Sequence, residues 1–89
     1  MAYNTVTVTN TPTLIVAPNT HRQSLILTNI STTVAYIGPD NLVTTVNAIQ
    51  MNRNDVLSED SGGTRVYQGA VWGVVATGTA DIRYWERTI

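Results

Sequence analysis

Residues 71–86, Val71-Trp72-Gly73-Val74-Val75-Ala76-Thr77-Gly78-Thr79-Ala80-Asp81-Ile82-Arg83-Tyr84-Trp85-Glu86, decide the fold. Val71, Gly73 and Val75 fall on one face of an extended chain, and Trp72, Val74 and Ala76 on the other. Thr77-Gly78-Thr79 is turn-like, with Gly where a positive φ costs least. Ala80, Ile82 and Tyr84 then alternate with Asp81, Arg83 and Trp85. Such period-2 alternation of β-branched and aromatic residues marks half-buried strands. The stretch therefore predicts a hairpin with a deep, doubly apolar first arm and an amphipathic second arm whose Asp81 and Arg83 face water. A hairpin alone is marginal in water, so other strands must cover it.

Upstream the same pattern recurs. Thr5, Thr7 and Thr9 share one face and Val6 and Val8 the other, which predicts an edge strand or an arm that becomes a strand on a partner. The evenly spaced Thr row also suits ice or carbohydrate binding, although a solvated strand face accounts for it. Pro12 ends the strand because it cannot donate to a ladder. A short apolar strand over residues 14–17 runs into the turn triplet Pro18-Asn19-Thr20. Residues 22–29, RQSLILTN, form the second strong strand: Leu25, Leu27 and Asn29 on one face, Ser24, Ile26 and Thr28 on the other. Residues 34–37 are expected to run back as its partner, stopped at Gly38-Pro39-Asp40-Asn41. Residues 43–46 fit a strand or a loop, and residues 48–51 a short strand. Val56 and Leu57 fit a brief strand or an inward anchor in the polar stretch 52–65, where residues 59–63 read as a turn. Residues 66–68 lead into the opening hairpin.

Nowhere do apolar residues recur at helical spacing for ten residues. Seven or eight short strands separated by frequent turns predict an all-β domain: a small antiparallel β-sandwich or barrel, jelly-roll or immunoglobulin-like. All 89 residues fit a single domain, with residues 1–12 as an N-terminal arm or edge strand.

Composition narrows function. Charged residues are 12% of the chain, about half the usual share. The five basic residues are all Arg, and the net charge is −1. No long-range field steers such a chain to nucleic acid or an anionic membrane, so neither is an expected partner. There is no Cys, which excludes disulfides, thiolate catalysis and Cys-type zinc sites. The opening MAYNTVTVTNTP lacks the basic segment and apolar core of a signal peptide.

Catalytic signatures are missing from the reading too. His21 is the sole His and has no metal-ligand spacing around it, so a surface or packing role is expected. Asp40, Asp55, Glu59, Asp60, Asp81 and Glu86 fall at expected turns or outward positions, unsuited to paired-carboxylate chemistry. Asp55, Glu59 and Asp60 do not match a calcium loop. Asn29-Ile30-Ser31 is a glycosylation sequon without a secretory context. No enzyme activity, cofactor or metal is expected. Trp72 is expected in the core. Trp85 is expected either at an interface, beside Arg83 and Arg87, or in a second core layer.

Three segments, R-x-S-L-x-L-x-N-x-S over residues 22–31, Y-I-G over 36–38, and G-x-V-W-G-V-x-A-x-G-T-A-D-I-R-Y-W-E over 69–86, resemble a group of small β-sandwich virion proteins of tailed phages. The resemblance implies a capsid decoration (cement) protein, assembled in the host cytoplasm, that braces the major capsid protein of the virion. It implies a homo-oligomer, a trimer foremost. A tail, collar or fibre-base module is the alternative, and a carbohydrate- or receptor-binding domain a further one. The candidate interface residues are Tyr3, Val6, Val8, Arg53, Arg83, Trp85 and Arg87. The N-terminal segment is expected to add a strand to a neighbour's sheet edge.

Overall fold

The computed structural model describes residues 2–60 and 66–88. Among the described residues eight strands run in the order β1 (Ala2–Val8), β2 (Thr13–Val16), β3 (Arg22–Asn29), β4 (Ala35–Gly38), β5 (Ile49–Met51), β6 (Val56–Asp60), β7 (Val71–Val75) and β8 (Ala80–Thr88). The described residues contain no helix. The strands form two four-stranded sheets, β1-β8-β3-β6 and β2-β7-β4-β5, here called the first and second sheet. Every pairing is antiparallel.

The pairings nest. β4 pairs with β5, β3 with β6, β2 with β7 and β1 with β8. A long hairpin wound over on itself has this order, with lateral joins β3·β8 and β4·β7. That is a jelly roll. It selects the sandwich over the closed barrel and the jelly-roll alternative over the immunoglobulin-like one.

This winding corrects two pairings expected from sequence. β7 and β8 do not form a hairpin, because their connection crosses from one sheet to the other. Gly78 makes that corner at φ 74°, a conformation L side chains avoid. Likewise β4 is not the partner of β3 but lies in the opposite sheet. Among the described strands only β4 and β5 are consecutive neighbours within one sheet.

The core fills the gap between the sheets. Val8, Leu25, Leu27, Ala80 and Ile82 come from the first sheet. Ile15, Val16, Ala35, Ile37, Met51, Val71 and Val75 come from the second. Alternation explains most of them, with one instructive exception. Ile15 and Val16 are consecutive yet both buried, because a bulge lies between Leu14 and Val16 in the pairing with β7. Gly73 sits where they pack: a Cβ there would lie 2.8 Å from Ile15 Cδ1.

Residues 43–46 are loop, not strand. Val43 is buried and would clash with any side chain at Gly38, its Cγ1 being 2.6 Å from a Cβ built there. Val74, on the outer face of β7, is also buried, and it borders one depression with Val43. The 39–48 loop is thus pinned over the outer face of the second sheet. It holds its own shape: Asn47 Oδ1 accepts from Thr44 N–H at 2.8 Å, and Asn47 Nδ2 donates to the Leu42 carbonyl at 3.2 Å. Glu59 and Asp60 belong to β6 rather than to a turn, and the remainder of that expected turn, residues 61–63, lies outside the described residues. Residues 66–68 form no strand. Trp72 is only half-buried, paired with Leu14 on the outer face of the second sheet, and not in the central core.

Candidate interaction face

Strand parity places two kinds of side chain on β8. Ile82 is fully buried and Tyr84 packs against the core, so Asp81, Arg83, Trp85 and Arg87 point away from it. Trp85 is 51% exposed. Of the two roles expected for it, this is the outward one.

Register then sets neighbours across the first sheet. Trp85 lies between Tyr3 of β1 and Ile26 of β3. Directly paired residues of adjacent strands share a face and stand about 4.5–5.5 Å apart at Cβ. Tyr3 is 82% exposed and Ile26 40% exposed. Three large apolar side chains therefore form one exposed row across three strands. The next row carries Thr5, Arg83, Thr28 and, at its end on β6, the exposed Val56. On the other side Arg87 pairs with Ser24. The apolar row is thus flanked by two guanidinium groups. A depression of about 200 Å³ opens beside Trp85, lined by Ser24, Ile26, Ser58, Glu59 and Arg87.

The charges on this face are weakly tied. Arg83 Nη2 is 3.8 Å from Asp81 Oδ2, with both side chains largely in water. Exposed pairs of this kind contribute about 0–1 kcal/mol. Asp81 also accepts a hydrogen bond from Thr5 Oγ1, linking β8 to β1.

Of the candidate interface residues, the fold gathers Tyr3, Arg83, Trp85 and Arg87 on this one face. It does not bring in the other three. Val8 is fully buried in the core and Val6 packs against it, because their parity turns them inward opposite Ala80 and Ile82. Val8 is closed to a partner of the folded chain, and Val6 is partly buried. Arg53 is exposed on the β5–β6 turn, next to Asn54 at φ 67°. The N-terminal segment lies on the sheet as β1, paired with β8 from Ala2 to Val8.

Several structural residues escape a reading of sequence. Glu86, expected to face outward, is buried. Its Oε2 is 2.7 Å from Nε of Arg22, itself buried. The Arg22 guanidinium also donates to the carbonyls of Ala17, Tyr67 and Gly69 at 2.8–3.0 Å. Asn29 is fully buried, and its Nδ2 donates to the Thr33 and Met51 carbonyls. The sequon at Asn29 is therefore closed to glycosylation in the folded chain. Leu42 and Val46 project from the 39–48 loop, 72% and 93% exposed.

His21 is exposed on the β2–β3 connection. Glu86, a buried carboxylate, is occupied by Arg22. Among the described residues no group of three or more His, Cys, Asp or Glu is placed to hold a metal. What the fold and this face define is a small jelly roll with an outward apolar row of Tyr3, Trp85 and Ile26. Compared with known proteins, the chain matches no family model, no curated protein and no solved structure.

Proposed function

We propose that this chain is a structural virion protein that binds and stabilises a phage capsid as a decoration protein, with the outer face of the first sheet as its contact surface. The observation that carries the contact role is the Tyr3–Trp85–Ile26 row flanked by Arg83 and Arg87. Tyr, Trp and Arg dominate interface hot spots, because they combine large apolar area with a polar handle. The jelly roll supports the reading, since it is an architecture that capsid proteins use. The sequence resemblance supplies the partner, the major capsid protein. A lattice of repeated sites would multiply a modest single contact.

The test is reconstitution. Purified protein is added to mature shells, and bound copies per particle are counted. Saturation at stoichiometric copy number supports decoration. Binding of only a few copies at one axial site would instead identify a tail, collar or fibre-base module. One observation favours a second reading: Tyr3 and Trp85 are adjacent, exposed aromatics of the kind that stack on sugar rings, and jelly rolls also serve as lectin domains. A glycan titration that shifts Trp fluorescence, with no shell binding, would move the assignment there.

A further inference from the structure

A four-stranded sheet has two open edges, and each is a row of backbone donors and acceptors that invites another strand. Proteins blunt such edges with short strands, charges, prolines or bulges. Three of the four edges here carry such devices. β5 has three residues. β2 has four residues, carries a bulge and is bracketed by Pro12 and Pro18. β6 carries the charged Glu59 within its five residues, so two copies meeting there would bring like charges together. β1 has none of them. It is seven residues long, AYNTVTV, without charge, Pro or Gly. Its register with β8 runs unbroken from Ala2 to Val8.

The free side of β1 is also accessible. Among the described residues no strand pairs with it there. Tyr3, Asn4, Thr5 and Thr7 are all exposed. The Thr5 N–H is taken up by the neighbouring Asn4 Oδ1 at 2.8 Å, a local substitute for a strand partner.

We infer that β1 pairs antiparallel with β1 of a second copy, joining the two first sheets into one continuous sheet across a two-fold axis. The occupant is a second copy because β1 is compatible with itself. It brings no like charges together, and its outward Thr side chains suit cross-strand Thr–Thr contacts. The two-fold arrangement is also self-closing: it consumes both unguarded edges, whereas head-to-tail edge pairing leaves one open and propagates. The join places the two Tyr3–Trp85–Ile26 rows on the same side of one sheet. This pairing does not depend on the capsid reading. It differs from the three-fold oligomer that the resemblance implies, so a mass measurement separates them.

The test is solution mass by light scattering over a concentration series, with amide hydrogen exchange on the same samples. The expected mass is twice the 9.7 kDa of the chain, with Tyr3, Thr5 and Thr7 amides gaining protection as concentration rises. Thr5→Pro removes an edge donor, and Thr5→Lys places a charge on each side of the join. Each should return the mass to that of the monomer, with the thermal transition still cooperative. A wild-type protein that stays monomeric throughout, or forms trimers, overturns the inference. So does a Thr5→Lys variant that folds and remains dimeric. If both variants fail to fold, the wild-type mass and the β1 exchange pattern still decide it.

Discussion

Nε of Arg22 and Oε2 of Glu86 meet at 2.7 Å inside the sandwich, the Arg22 side chain wholly buried and that of Glu86 9% exposed. The contact joins the start of β3 to the far end of β8. Through Nη1 and Nη2, Arg22 also holds the carbonyls of Ala17, Tyr67 and Gly69. One guanidinium thus ties the β2–β3 and β6–β7 connections to the first sheet. Asn19 Nδ2 donates to Glu86 Oε1 at 3.4 Å and completes the cluster.

Removing one partner of a buried pair leaves the other charge uncompensated, at a cost of about 3–5 kcal/mol. Glu86→Gln should therefore lower stability by that order, read as a fall in the urea midpoint. The double variant Arg22→Met/Glu86→Leu should lose less than the two single variants summed, because neither charge is then stranded. Additive losses would show that the two side chains act independently.

This cluster also shows where sequence stops being legible. Glu86 has the parity of Ile82 and Tyr84, so its inward direction was readable from alternation. A carboxylate near a strand end ordinarily lies in water, and that tendency conceals it. Arg22 was hidden more deeply. It shares parity with the outward Ser24 and Ile26, and turns inward only because the register with β8 shifts between Arg22 and Ser24. No local pattern announces that bulge. Strand positions are largely readable: the strong alternation over residues 22–29 coincides with β3, whereas for Trp85 the sequence leaves an interface and a second core layer both open, and its 51% exposure decides for the outward position. Pairing is not. A short turn between two apolar runs looks alike whether the strands bond to each other or pass between stacked sheets. The true partner of β7 in the nested order, β2, lies far away in sequence.

Parity makes a sharp prediction at two adjacent positions of β3. Leu27 is fully buried and Ile26 is 40% exposed on the outer row. Leu27→Ala should cost about 2–5 kcal/mol through lost burial and the cavity left behind. Ile26→Ala should cost no more than about 1 kcal/mol, the scale of a cross-strand contact. Thermal denaturation of both variants checks the assignment. Comparable losses at the two positions would mean that the outer face of the first sheet is covered.

Gly38 and Val43 make a prediction about the 39–48 loop. A Cβ on Gly38 would lie 2.6 Å from Val43 Cγ1, too close to persist. Gly38→Ala should push Val43 out and loosen the loop, costing about 1–3 kcal/mol as overpacking does. Hydrogen exchange should rise in residues 39–48 while β3 and β8 stay protected. Adding Val43→Ala should restore part of the loss by clearing the clash. A Gly38→Ala protein with unchanged exchange would show that Val43 does not anchor the loop.

Trp85→Ala tests the proposed contact face without disturbing the core. Trp85 is half in water, its neighbours on the row are Tyr3 and Ile26, and no core side chain depends on it. Substitutions at such surface positions usually change stability by about 0.5 kcal/mol or less, and loss of the cross-strand contacts adds up to about 1 kcal/mol. Truncating a hot-spot Trp costs about 2 kcal/mol or more of binding, roughly a thirtyfold loss of affinity. The variant should keep its thermal transition close to wild type and lose shell binding in a pelleting assay. Arg83→Ala and Arg87→Ala should each weaken binding more at low salt than at high salt, since screening already removes part of their contribution in the wild type. A Trp85→Ala protein that melts far below wild type would place the indole in a structural role. One that folds and decorates shells at full occupancy and unchanged affinity would remove this face from the contact.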